Sequence, residues 1–290
     1  MISTFVPWLY SVGAAIRQLS LQDIANDSSL MASSVIDTAK LFDLAVVSVN
    51  LDVTLWAEAS GCEINWDKGS PEISGVPEDP DLDSIKESPR VLALTEVIDR
   101  VKGALPKKQL ACAIPGPATL CKLLGLSNKE PSAMDQFLVS ELITEYVTIL
   151  CEAKIDNIII NEDNSVNDTD LSVWVNDHQY RRISKLANHY SITTTLLSST
   201  ASLCDAQLEE FNELTFVIGK PDRTVEAAFP NAIKGIIINN FGTGTADLPD
   251  NISKLESGTY FLTTAGDLPS GTDLSDIKRD IATVSSHWSS

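Results

Sequence analysis

Several things are scarce in this 290-residue sequence, and each scarcity excludes something. Basic residues number 21 against 40 acidic ones, with three histidines, for a formal net charge of −19. Such an excess repels phosphate backbones and anionic lipid surfaces, so neither nucleic acid nor a membrane is expected as a partner. No apolar run approaches the roughly eighteen residues of a membrane-spanning helix. The opening MISTFVPWLYSVG lacks the basic stretch of a secretory leader, and a cytoplasmic protein is expected. The five cysteines, Cys62, Cys112, Cys121, Cys151 and Cys204, are spread apart without a C-x-x-C pair, the pattern of reduced thiols. Neither G-x-G-x-x-G nor G-x-x-x-x-G-K-[ST] occurs, which removes the main support for a nucleotide fold.

What is present is 43% hydrophobic sequence arranged in eight short apolar runs. They span Thr4–Tyr10, Leu44–Asn50, Gln109–Pro115, Asn157–Asp163, Ile192–Ser199, Leu214–Lys220, Lys234–Asn240 and Thr259–Thr264. Runs such as IIIN and GIIIN carry no polar alternation, as strands buried on both faces require. Helical patterns fill the gaps at Ser28–Phe42, Leu92–Leu105, Ala133–Ala153, Ser172–Tyr190, Ala206–Phe211, Arg223–Phe229 and Leu274–His287. Strands and helices alternating eight times predict an α/β chain of one domain, a (β/α)8 TIM barrel. The longest connection, residues 50–90, holds Trp56, Trp66 and a hairpin pattern around Asp67-Lys68-Gly69. It reads either as a lid on the barrel mouth or as an excursion packed on the outside.

Five stretches carry a family resemblance over nearly the whole chain: PWLYSVGAAIRQLSLQDI, LDVTLWAEASGCEINW, AIPGPATLCKLLGL, NIIINED and YFLTTAGDLPSGTDLSDIK. In order and spacing the sequence resembles the uroporphyrinogen decarboxylase superfamily. It is closest to the corrinoid and coenzyme M methyltransferase branch, with its D-x-T-x-x-A-E-A-x-G-x-E and G-P-x-T-L stretches. Here these are Asp52, Thr54, Ala57, Glu58, Ala59, Gly61 and Glu63, then Gly116, Pro117, Thr119 and Leu120. The resemblance implies a barrel whose zinc ligands stand at the ends of the fifth and eighth strands. This sequence places Leu197, Ser199 and Gly266 there. Leucine and glycine offer no donor, so no metal site is expected. The decarboxylase reaction implies arginines that clamp propionates, but those positions fall near Tyr10 and Ala14, with only Arg17 close by. The assisting tyrosine and histidine fall on Leu123 and Gly266, so a polycarboxylate substrate lacks its cationic partners.

In such a barrel the C-terminal strand ends host the chemistry. Asp52, inside a matched motif, is the expected catalytic residue, as substrate anchor or proton carrier. Trp8 and Tyr10 from the first strand, Asn50, Asn161, Ser199, Asn239 and Asp267 are the expected substrate-binding set. Ser198, Lys220 and Asn240 stand at the same level. Glu162 and Asp163 read instead as a solvated loop capping the following helix. GTGTADLPD at 242–250 offers backbone donors for a phosphate, a weak signal. Trp174 and Tyr180 read as packing. Three functions follow from the resemblance: a methyltransferase acting on a small methyl donor or on a corrinoid carried by a partner protein, without zinc; a metal-free decarboxylase-like lyase on a small organic acid; or a non-catalytic barrel binding a tetrapyrrole or a partner.

Overall fold

A computed structural model describes residues 4–78, 80, 82, 84–126, 131–163, 166, 168–198, 216–219, 233–238, 241–246, 260–264 and 267–286. In chain order the strands are β1 (Thr4–Val6), β2 (Val46–Asn50), β3 (Glu63–Asn65), β4 (Glu72–Gly75), β5 (Gln109–Pro115), β6 (Asn157–Glu162), β7 (Thr193–Ser198), β8 (Phe216–Gly219), β9 (Ile233–Ile238) and β10 (Tyr260–Thr264). The helices are α1 (Tyr10–Ile16), α2 (Leu21–Asn26), α3 (Ser28–Leu41), α4 (Thr54–Ala59), α5 (Pro89–Ala104), α6 (Pro117–Leu123), α7 (Ala133–Glu152), α8 (Asp168–Asn176), α9 (Gln179–His189) and α10 (Leu274–Ser286).

Eight strands form one sheet in the order β1-β10-β9-β8-β7-β6-β5-β2, with each hydrogen-bonded pair parallel. β1 also lies against β2, so the ring closes as a (β/α)8 barrel. Strand geometry sends alternate residues to opposite faces. Val6, Val46, Ala111, Ala113, Ile159 and Leu197 meet inside the barrel, joined by Trp8 and Leu51. Leu110, Cys112, Ile114, Ile158 and Ile160 point the other way and pack under the helices. Both faces are therefore dry, which is why these strands have no polar alternation. Each such side chain contributes about 1.5–3 kcal/mol by leaving water.

Local signals start the helices. Ser20 with Asp23 and Ser132 with Asp135 form reciprocal capping boxes before α2 and α7, and Asp27 accepts from Ser29 and Leu30 at the start of α3. Pro89 and Pro117 open α5 and α6, where a missing N–H costs nothing.

Four readings need correction or completion. The first strand stops at Val6 because Pro7 has no N–H to continue the ladder; Trp8 then lies in a loop and Tyr10 opens α1. The helix expected at Ser172–Tyr190 is two, α8 and α9, broken at His178 with φ of 58°. The 50–90 connection holds α4, the antiparallel β3–β4 hairpin and a 3-10 turn at Ile85–Glu87. Its two tryptophans part company. Trp56 is wholly buried on α4, donating its indole N–H to the Ala113 carbonyl at 2.8 Å and packing on Tyr146 at 4.8 Å between ring centroids. Trp66 stays half-buried in the loop after β3. The helices expected at 206–211 and 223–229 lie outside the described residues.

Candidate active site

The site is built outward from the end of β2. Asn50 is buried there, and its amide bonds the main chain of Asp52 in both directions: Nδ2 donates to the Asp52 carbonyl at 3.0 Å, while Oδ1 accepts the Asp52 N–H at 3.3 Å. This side-chain turn fixes the loop that presents Asp52. The Asp52 carboxylate is held on both oxygens. Oδ1 accepts from the Thr54 N–H at 2.9 Å and the Thr54 hydroxyl at 2.6 Å; Oδ2 accepts from Arg90 Nη2 at 2.5 Å.

Arg90, on the first turn of α5, is only 4% exposed and donates its other terminal nitrogen to Glu58 at 2.7 Å. Its guanidinium carbon sits 5.4 Å from the centre of the Trp66 ring, a cation–π distance that ties the hairpin segment to the site. Burial opposes the guanidinium charge, but Asp52 and Glu58 more than restore it, and its pKa is raised. Its Nε is buried without a partner. Arg17, the cation nearest in sequence, instead pairs with Asp37.

Beside Asp52 stand the residues that follow β1 and β10. The Trp8 N–H donates to Thr264 Oγ1 at 3.0 Å and the Leu268 N–H to the Trp8 carbonyl at 3.1 Å, which joins the ends of these strands. Asp267 accepts from the Ser11 N–H at 2.9 Å and the Ser11 hydroxyl at 2.5 Å. Between them Tyr10 packs on the barrel-interior cluster. Burial pushes its phenol upward, Asp52 and Asp267 add to the rise, and Arg90 opposes it, so Tyr10 stays protonated through the physiological range. The Tyr10 hydroxyl and the Trp8 indole N–H are both buried with no hydrogen-bond partner. The structure thus brings Trp8, Tyr10, Asn50, Asp52 and Asp267 to one mouth.

Two other carboxylates look similar in sequence but are consumed by the framework. Glu162, expected in solvent, is 2% exposed. It accepts from the Thr119 N–H at 2.8 Å, the Thr119 hydroxyl at 2.7 Å, the Ala118 N–H at 3.3 Å and the Tyr180 hydroxyl. It therefore caps the start of α6, which precedes it in the chain, rather than the helix that follows. A Cβ at Gly116 would run into this carboxyl group, which explains the glycine of the G-P-x-T-L stretch. Burial pushes Glu162 upward against the pull of Thr119, Tyr180 and Ala118. Asp280, wholly buried on α10, accepts from the N–H groups of Gly242 at 2.7 Å, Gly244 at 3.1 Å and Ala246 at 3.0 Å. Gly242 and Gly244 have φ of 87° and 73°, a backbone that suits glycine. The donors read as a phosphate cradle are therefore taken by an internal carboxylate.

Asn161 is half-buried on β6, in register with Leu197 and two residues beyond the interior Ile159. Leu197 packs inside the barrel at the first position where the resemblance implies a zinc ligand. Ser198 is buried with an unpartnered hydroxyl. Ser199, Lys220, Asn239, Asn240, Cys204 and Gly266 lie outside the described residues. Cys62, Cys112, Cys121 and Cys151 are free thiols, all buried. Among the described residues no three His, Cys, Asp or Glu side chains group as a metal site, and no helix is long and apolar enough to cross a membrane. Trp174 and Tyr180 are wholly buried, as expected of packing residues. Arg90 is the member sequence reasoning missed, because 38 residues separate it from Asp52 and nothing in its surroundings marks it.

Solved structures resemble the chain over nearly its full length. A methyltransferase from Methanosarcina mazei matches 99% of this chain and 94% of its own at a TM-score of 0.75, with 18% identity. The fold is shared. A D-allulose 3-epimerase from Methylomonas sp. matches 99% of both chains at 0.55 and 9% identity. A B12-independent methionine synthase from Shewanella sp. matches 90% of this chain and 89% of its own at 0.54 and 12% identity. No family model and no curated protein matches the sequence.

Proposed function

We propose that the chain is a divergent methyltransferase-like barrel of the uroporphyrinogen decarboxylase superfamily, acting on a small methyl donor or on a corrinoid carried by a partner protein, without the family zinc. The observation that carries this reading is the Asp52–Arg90–Glu58 cluster. Of the motif residues of the resemblance, Asp52 and Glu58 grip Arg90 at the strand ends, and Thr54 fixes Asp52. The backbone likeness to a methyltransferase supports it.

Leu197 lies in an apolar layer with Ile159 and Ala113 and offers no donor, so a zinc ion does not fit the residues present. The site's own groups can orient and exclude water. Asp52, locked by Thr54 and Arg90, is the substrate anchor, and Tyr10 stays available as a neutral hydrogen-bond donor. A lyase of small organic acids is less well served, because the buried guanidinium of Arg90 at the mouth is already held by two carboxylates.

Titration of cobalamin with the purified protein tests the reading. A saturable shift of the cobalamin visible bands, weakened by Asp52→Asn, is expected. Unchanged bands, or zinc bound at one equivalent, would overturn it.

A further inference from the structure

Besides the Nε of Arg90, two polar atoms at the mouth have no partner although both are buried: the indole N–H of Trp8, a residue 7% exposed, and the hydroxyl of Tyr10. A buried donor left unmet is unfavourable, and native chains leave few of them. At Trp56 the same chemistry is met, with the indole N–H on the Ala113 carbonyl. Trp8 is a donor only, and Tyr10 with its raised pKa remains one, so the missing partner is an acceptor.

Charge narrows the class. Among the described residues three carboxylates, Asp52, Glu58 and Asp267, surround this region against the single guanidinium of Arg90. Among the described residues, Arg17 is engaged with Asp37 and Lys86 with Glu145. An anion entering here meets net repulsion; a neutral molecule or a cation does not. The aromatic surfaces of Trp8 and Tyr10 suit methyl groups and cationic heads.

We infer that the mouth takes a small uncharged, zwitterionic or cationic molecule bearing methyl groups, whose acceptor oxygen receives the Trp8 indole N–H and the Tyr10 O–H. This deepens the proposed function and rests on the mouth being its ligand site. Failure of the methyltransferase reading shows in the cobalamin bands, whereas the donor pair is read from a separate signal whether or not a corrinoid binds.

The test follows the indole 15N–1H signal of Trp8, assigned with Trp8→Phe, in the full-length protein. Three probes are added at equal concentrations: trimethylamine N-oxide, tetramethylammonium and acetate. The N-oxide is expected to move the Trp8 signal downfield and saturably, with tetramethylammonium and acetate leaving it in place. Tyr10→Phe, which keeps the ring, should weaken N-oxide binding about fivefold, the value of one hydrogen bond. A signal unmoved by the N-oxide, an equal response to acetate or tetramethylammonium, or unaltered binding in Tyr10→Phe would each overturn the inference.

Discussion

Two loops at the C-terminal ends of the strands handle their polar groups in opposite ways. The loop after β9 directs three backbone N–H groups onto Asp280. The mouth around Asp52 satisfies its carboxylate but leaves Trp8, Tyr10 and Arg90 each with an unmet donor. The first is framework, closed by the chain itself. The second has capacity to spare for something the chain does not provide. Donor-rich loops alone therefore do not mark a site, and neither does a lone unmet donor such as the Trp174 indole N–H; several unmet donors at one mouth do.

The comparison can be broken most forcefully at Arg90. Arg90→Leu strands Asp52 and Glu58 without their cation, and a loss of about 3–5 kcal/mol is expected in urea denaturation. Adding Asp52→Leu should restore part of it, because the uncompensated buried charge is removed with it. A neutral single substitution would show that the cluster is not a closed ion network. At the other loop, Asp280→Ala leaves its three amides unmet and should cost roughly 2–3 kcal/mol. Cobalamin binding should be untouched there, whereas a parallel loss of binding would place the ligand at the wrong loop.

Smaller effects sharpen the role of the third carboxylate. Gly116→Ala forces a methyl group against Glu162 and should cost about 1–3 kcal/mol, falling below about 1 kcal/mol in a Glu162→Ala background. pH gives a second reading. Glu162 holds its proton to higher pH when folded than its ordinary value of 4.5. The folded chain then binds the extra proton, so stability is greatest at low pH with respect to this group. It declines as pH rises past 4.5 toward the folded value and levels off above it. Glu162→Gln should flatten that decline in pH-dependent melting curves; an unaltered slope would show that the group does not titrate in this way.

Much of the architecture was legible because burial on both faces writes an unbroken apolar run, and eight such runs sit between helical patterns. Boundaries were harder. The run through Tyr10 reads as strand throughout, and only the missing N–H of Pro7 ends it three residues after it starts. At the site, Asp52 stood out through its motif, but Arg90 did not, since its contacts with Asp52 and Glu58 exist only after the 50–90 connection folds back. Glu162 was misread for a related reason. An acidic residue after an apolar strand looks the same whether it caps the helix that follows or the one before. The glycines at 242 and 244 announced backbone donors, but these are not free: their acceptor lies 36 to 38 residues on, at Asp280.

The contrast between closed and open donors rests on one spectroscopic difference. In the 15N–1H spectrum of the ligand-free protein, the indole proton of Trp8 should resonate upfield of that of Trp56, which donates to Ala113 at 2.8 Å. A Trp8 proton as far downfield as that of Trp56 would mean that its donor is already satisfied, and would contradict the account.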